Sequence, residues 1–145
     1  EVPEEFRGYT GFYKEENCVW LTEKVCVTQT DIRNIQLAKA AIAAGIQILL
    51  NEKGIIYKDV KRLILAGGFG TYLNKESAAR IGLIPKELLP VTQAVGNAAG
   101  EGAISAAISK EAREQAKKIR EHMYYIELSM HPEFSDAYMD LMYFE

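Results

Sequence analysis

Two glycine segments are the residues of this chain whose types and spacing bear most directly on chemistry. Gly67-Gly68-Phe69-Gly70 follows the strand-like run Val60–Ala66, and Gly96-Asn97 follows a second such run, Val91–Val95. Glycine has no Cβ, so backbone N–H groups beside it can approach a ligand closely, and a helix N-terminus favours an anion there. In open parallel sheets the strand C-termini form the ligand face. Two strands ending in glycine turns that lead into helices therefore suggest a surface for a nucleotide. A competing reading stands beside each turn. Gly67, Gly68 and Gly70 also fit a tight turn that only glycine can make. Gly96, Gly100 and Ala103 also fit a stripe of small residues that packs a helix tightly on a sheet.

Other chemistries find less support. Counting from Gly68 and Gly70, the third position of a G-x-G-x-x-G fingerprint is Leu73, and no acidic residue ends a following strand to take a ribose, so a complete dinucleotide unit is not expected. G-x-x-x-x-G-K-[ST] is absent from the sequence, which argues against a P-loop ATPase. Ser77, Ser105 and Ser109 have no G-x-S-x-G elbow and no nearby histidine. Asp31, Glu76, Glu87 and Glu101 show no pairing suited to acid–base work, and Glu101, between Gly100 and Gly102, reads as a solvated helix residue. No catalytic residue and no metal ligand is assigned. Cys18 and Cys26 fit neither a redox C-x-x-C nor a zinc knuckle, and His122 and His131 are too isolated to join them. The two thiols read as buried and reduced, with a cross-strand disulfide as the alternative.

The elements that must position the glycine turns follow from periodicity. Residues 1–27 alternate aromatic and polar positions and read as strand or hairpin, an N-terminal β segment of a larger sheet. Thr28-Gln29-Thr30-Asp31 has the form of a helix start, and Ile32, Ile35, Ala38, Ile42, Ile46 and Leu49 predict one apolar face of a helix ended by Gly54. Gly45 inside that helix reads as a site of close packing. Val60–Ala66 predicts a strand, Lys75–Ile81 a short helix stopped by Gly82, and Val91–Val95 another strand. A small-residue helix follows from Ala98 to Ile108, then a charged helix from Lys110 to Glu121 capped by Ser109. Met123–Ser129 alternates like a last strand, and Phe134, Tyr138, Leu141 and Met142 share one face of a terminal helix. Helices alternating with strands over short connections predict an α/β fold with a partly parallel sheet and crossover helices. The expected division is residues 1–27 and 28–145.

The 145 residues are 48% hydrophobic and 26% charged, an ordinary globular composition with room for a real core. A net charge of −3 speaks against nucleic-acid binding. Lys117, Lys118 and Arg120 alternate with Glu114 and Glu121 and read as a solvated helix face. No apolar run approaches a membrane span, and the start Glu1-Val2-Pro3-Glu4-Glu5 looks like the middle of a longer polypeptide.

Leu63–Gly70 resembles the adenosine motif of the actin, sugar-kinase and heat-shock chaperone superfamily. More closely, the chain resembles the C-terminal actin-like (ASKHA) domain of the ATP-dependent reductive activators of corrinoid proteins. The likeness rests on Thr28–Arg33, Gln36–Ile42, Leu65–Gly70, Ser77–Pro85, Val95–Ala103 and Tyr125–Ser129, in the same order. It implies a fragment of an actin-like, ribonuclease H-like subdomain. It also implies ATP-driven return of cobalt to Co(I) in a corrinoid protein, the complete protein being the redox activator and this stretch alone inactive. ATP with Mg²⁺ would be the cofactor, and an iron–sulfur cluster in another domain would supply electron transfer and metal binding. Gly67, Gly68, Phe69 and Gly70 would lie at the ribose and α-phosphate, with Gly96 and Asn97 at the next strand end. Gln36 and Lys39 would be adenine-side contacts, a solvated surface lysine being the alternative for Lys39. A cytoplasmic homodimer docking a corrinoid protein is the implied setting. Two rival readings remain: a dimerisation or partner-docking module that binds no nucleotide, carried by the Met/Tyr/Phe-rich end, and an activator of a dehydratase. Most of that aromatic end is expected to be buried against the sheet.

Overall fold

A computed structural model describes residues 12–13, 18–22 and 24–144. The chain divides into two compact units, Glu1–Ala38 and Lys39–Glu145, with the division inside the long helix.

The first unit contains an antiparallel three-stranded sheet in the order β1 (Phe12–Tyr13), β2 (Cys18–Thr22), β3 (Val25–Thr28). Trp20 faces Cys26 and Cys18 faces Thr28 across β2 and β3. The cysteines are therefore diagonal neighbours on one sheet face. That spacing, roughly 7–8 Å, exceeds comfortable disulfide reach. Both are thiols, with Cys18 buried.

Thr28 and Asp31 start helix α1 (Gln29–Lys53) as a reciprocal capping box. The Asp31 carboxylate accepts from the Thr28 backbone N–H at 2.9 Å and its hydroxyl at 2.7 Å, while Asp31 N–H donates to Thr28 Oγ1 at 3.1 Å. Those bonds, the backbone one first, hold the Asp31 carboxyl below its usual range. Gly54, at φ +62°, ends the helix, with Gly54 N–H bonded to Asn51 O and Ile55 N–H to Leu50 O in the Schellman pattern.

The buried face of α1 differs from the expected one. Ala40, Ala43, Ala44 and Ile48 are buried, whereas Ile35, Ile42 and Leu49 are exposed. Apolar residues occur around much of this helix, so their periodicity alone did not select the packed side. Small side chains supply most of the close contact, with Ile48 buried among them and Ile46 packed on the core, while Ile35, Ile42 and Leu49 stay outside. Gly45 has the expected role, since an added Cβ would lie 3.3 Å from Leu128 Cδ1.

In the second unit, β4 (Leu63–Leu65) and β5 (Thr92–Ala94) form a parallel pair in the register Leu63–Thr92, Ile64–Gln93 and Leu65–Ala94. Between them lie α2 (Gly67–Tyr72), α3 (Lys75–Arg80) and a 3-10 segment, Lys86–Val91. Asn74 caps α3 by accepting from Ser77 N–H at 2.7 Å. Ala78, Ala79, Leu83 and Ile84 form a core cluster, joined by Ile46, Leu63, Leu73, Ile81 and Leu89. Thr92 is buried and satisfies its hydroxyl on Leu88 O at 2.7 Å.

Helices α4 (Ala98–Ile108), α5 (Lys110–Glu121) and α6 (Phe134–Asp140) complete the chain. Ser109 accepts from Ala112 N–H and caps α5 as its position suggested. Lys117, Lys118 and Arg120 are exposed, and Lys117 pairs with Glu114 at 2.8 Å. Two expectations fail here. Met123–Ser129 joins no sheet. Its backbone runs into a 3-10 turn at Leu128–Met130, Leu128 packs on Gly45, and Tyr125 and Ser129 both donate to the Glu127 carboxylate. The alternation was that of a segment with one face on a helix, which looks like a strand in sequence. Nor is the aromatic end buried: Met123, Tyr124, Tyr125, Met130, Met139, Tyr143 and Phe144 are all exposed.

Candidate functional site

Parallel pairing of β4 and β5 places the two glycine turns side by side. Beyond the strands the ladder continues through the turns. Val95 N–H donates to Leu65 O at 2.9 Å, and Gly67 N–H donates to Gly96 O at 2.6 Å. Gly67 and Gly96 have φ +74° and +46°, a left-handed region costly for residues with a Cβ. Each turn leads directly into a helix, α2 or α4.

The glycines divide by what surrounds them. A Cβ on Gly67, Gly68 or Gly96 would meet nothing within 4 Å. The backbone there is bare and faces open space, which is the geometry a main-chain cradle requires. Gly70 is buried, and a Cβ on it would run into Leu65 O, with Leu65 C at 2.8 Å and Gly96 N at 3.2 Å. Its role is structural: it lets the first turn of α2 close down on the ends of both strands. The Gly67–Gly70 segment thus joins a left-handed turn at Gly67 to the beginning of a helix.

Asn97 is the N-cap of α4, its Oδ1 accepting from Gly100 N–H at 3.0 Å. Gly100 makes room for that cap, since a Cβ on it would lie 2.5 Å from Asn97 Nδ2. The small-residue stripe therefore serves the cap and not close packing on a sheet, because no residue of α4 is buried. Ile104 and Ile108 on this helix are 63% and 82% exposed. Nothing in the sequence distinguished the capping use of Gly100 from a packing use.

The remaining expected contacts lie elsewhere. Gln36 is half-buried on the part of α1 that belongs to the first unit. Lys39 is not a surface lysine: it is only 3% exposed. Its Nζ donates to Tyr143 O at 2.5 Å and lies 5.3 Å from the centre of the Phe144 ring. Lys39 lines a cavity of about 270 Å³ with residues such as Tyr57, Arg80, Gly82 and Asp140, a lining that includes neither glycine turn. Sequence reasoning missed this cavity, although Gly82 followed by Pro85 marked the bend that forms one wall.

The glycine turns present main chain rather than side chains at Gly67, Gly68 and Gly96. Among the described residues no group of three or more His, Cys, Asp or Glu could hold a metal ion. Also among them, no helix is long and apolar enough to cross a membrane. Glu101 is exposed on α4.

Comparison with known proteins agrees with this fold. The "Corrinoid activation enzyme RamQ" of Eubacterium limosum is 40% identical over 116 residues, covering 79% of this chain and 19% of that protein. A solved structure, "Reductive activator for corrinoid,iron-sulfur protein", superposes with a TM-score of 0.74 at 37% identity, covering 82% of this chain and 19% of its own. The chain thus spans about a fifth of the length of these relatives. A family model described as the "C-terminal domain of RACo the ASKHA domain" matches residues 6–145. The chain belongs to the family of the RACo C-terminal ASKHA domain.

Proposed function

We propose that this chain forms the adenosine-side wall of the nucleotide cleft in an ATP-dependent reductive activator that returns corrinoid cobalt from Co(II) to Co(I). The observation that carries the reading is the bare backbone at Gly67, Gly68 and Gly96, on two adjacent strand ends bonded to each other through Gly67 N–H and Gly96 O. A nucleotide fits there because added Cβ atoms would stand in otherwise open space. At the starts of α2 and α4 the N–H groups of Gly67 and Ala98 are held by Gly96 O and that of Gly100 by Asn97 Oδ1, so the first-turn donors offered to a ligand are those of Gly68, Phe69 and Ala99. Gly67, Gly68 and the Phe69 backbone would face the ribose and α-phosphate, and Gly96 would flank them. Asn97 acts through its cap, which holds the start of α4 beside the turn.

When bound, ATP with Mg²⁺ supplies a change in binding free energy between two conformations of the activator. That change is no larger than its differential affinity for them. The chain's own part is to hold the nucleoside in a fixed register with the strand ends. The electron comes from an iron–sulfur cluster in another domain, because two cysteines cannot supply the four protein ligands such a cluster needs. The setting we infer is a cytoplasmic homodimer that docks a corrinoid protein. The expected site residues Gln36 and Lys39 are not part of this wall as we draw it.

A second reading, a docking or dimerisation module without nucleotide, is favoured by the exposure of Ile104, Ile108 and Tyr125. One substitution separates the two. In a full-length reductive activator whose C-terminal domain is this chain, Gly68→Val abolishes ATP-dependent Co(I) formation, followed by corrinoid absorbance, and leaves dimerisation intact. Unchanged ATP dependence with lost dimerisation establishes the second reading instead.

A further inference from the structure

Helices α4 and α5 pack chiefly on each other. Neither buries a residue. On α4 only Gly100 and Ala106 are half-buried, and on α5 only Ala112. The joint between the two helices is braced from both sides. Ser109 Oγ accepts from Ala112 N–H at 3.1 Å and starts α5. The Arg113 guanidinium reaches back to Ala106 O and Ala107 O at 3.2 and 3.4 Å. Those carbonyls end α4, where the helix dipole favours a cation. The pair is therefore one braced hairpin with little packing on the rest of the chain.

Its root is the second glycine turn. Gly96 O accepts from Gly67 N–H at 2.6 Å and from Ala98 N–H at 3.1 Å, so α2 and α4 begin on one shared oxygen. Upstream of Gly96 the chain is fixed, because β5 pairs with β4 and Val95 N–H donates to Leu65 O. Downstream, no buried side chain fixes α4. Gly96 itself has φ +46°, and an added Cβ would touch nothing within 4 Å. A fixed strand thus meets a braced hairpin through a glycine with free space around it, which is where a hinge absorbs a change of angle.

We propose that the α4–α5 hairpin is a lever hinged at Gly96-Asn97, and that a ligand on the glycine turns sets its angle. For the identity of that ligand the proposal rests on the nucleotide reading above; the hinge itself needs only the geometry. A ligand held by the N–H groups of Gly68, Phe69 and Ala99 spans the start of α2 and the first turn of α4, across the hinge. It binds one angle better than the others, and occupancy shifts the population to that angle. Helix α4 has 11 residues, so a rotation of about 10° at its root carries its far end about 3 Å. Ile104 and Ile108, one turn apart and largely exposed, travel with it.

Residual dipolar couplings of the isotopically labelled chain test the lever. In the free chain, couplings in α4 and α5 should fit one common orientation and be reduced by about a third relative to β4, β5 and α3, the contrast between flexible and rigid backbone. Mg-ATP should restore them to the values of the strands. Gly96→Asn, which tolerates a left-handed backbone but narrows it, should restore them without nucleotide. Arg113→Ala should make α5 depart from the orientation of α4. Full-sized couplings in the free chain, or a reduction indifferent to Gly96→Asn, overturn the hinge. Mg-ATP that moves the Gly67 and Gly68 amides but leaves the hairpin couplings reduced overturns ligand control and leaves the nucleotide reading intact. Amides that ignore Mg-ATP remove the nucleotide reading and its hold on the lever, while the free-chain couplings still decide the hinge.

Discussion

The two ends of the parallel β4–β5 pair are built by opposite means. At the C-terminal end, Gly67, Gly68 and Gly96 leave main chain facing open space, and a 2.6 Å backbone bond ties one turn to the other. At the N-terminal approach, Lys39, Tyr57, Arg80, Lys86, Glu87 and Asp140 bring side chains together around a cavity. The first surface is built from main chain, so it needs residues that are missing atoms. The second is built from side chains, so it needs residues that have them. Glycine appears at both, with different work at each. Gly70 permits contact between a helix and two strand ends, whereas Gly82 permits a turn beside an ammonium.

The sharpest way to break this contrast lies within the glycine segment itself. Gly70→Ala drives a methyl into the Leu65 carbonyl and should destabilise the chain by about 3 kcal/mol, at the upper end of overpacking costs. Gly68→Ala, with open space around the new methyl, should leave stability unchanged or raised by up to about 1 kcal/mol, because alanine favours a helix. Denaturant unfolding of the two variants checks both numbers. Equal destabilisation would mean that the open and closed glycines are not distinct.

At the other end, Gly82→Ala forces a non-glycine residue to φ +76° and should cost about 1–2 kcal/mol. The added methyl also crowds Lys39 Nζ, so the loss should shrink in Lys39→Met/Gly82→Ala relative to Lys39→Met alone. That double-mutant cycle measures how far the turn and the ammonium depend on each other.

Nucleotide binding gives the next effect. In a full-length activator, Gly68→Val should weaken ATP affinity about tenfold or more, a change of about 1.4 kcal/mol. Titration calorimetry reads it directly.

The smallest effect is in pH dependence. Burial, and after it the Glu87 charge, raises the Tyr57 phenol above its ordinary value of 10.0. A raised folded value means that the stabilisation is fully present below the unfolded value and is lost as pH climbs through the folded one. Stability should therefore fall on the alkaline side of pH 10, and Glu87→Gln should bring the Tyr57 titration back toward that value. Ultraviolet difference titration of the phenolate, with Tyr57→Phe as the reference, measures the shift.

Much of this architecture was legible before any coordinates. Gly54, Gly82, Ser109 and the Thr28–Asp31 pair mark element ends through local chemistry, and local chemistry survives folding. The adjacency of the glycine turns was also implied, because parallel strands with short crossovers bring their C-termini to one side. What failed depended on long-range contacts. Ile35, Ile42 and Leu49 have the period of a packed face, yet Ala40, Ala44 and Ile48 are the buried set. Met123–Ser129 alternates like a strand because one side rests against α1, and no ladder partner is required for that pattern. Lys39 looked solvated in sequence, since nothing local showed that residues 143 and 144 would fold over it. Gly100 looked like a packing residue and proved to be the space for Asn97.

The central claim is that a purine nucleotide rests on main chain at the ends of β4 and β5. Amide-resolved NMR of the labelled chain titrated with Mg-ATP tests it most directly. Saturable shifts should centre on Gly67, Gly68, Gly96 and Asn97 and disappear in Gly68→Val. Stationary signals at those four amides, while shifts saturate elsewhere on the chain, would contradict it.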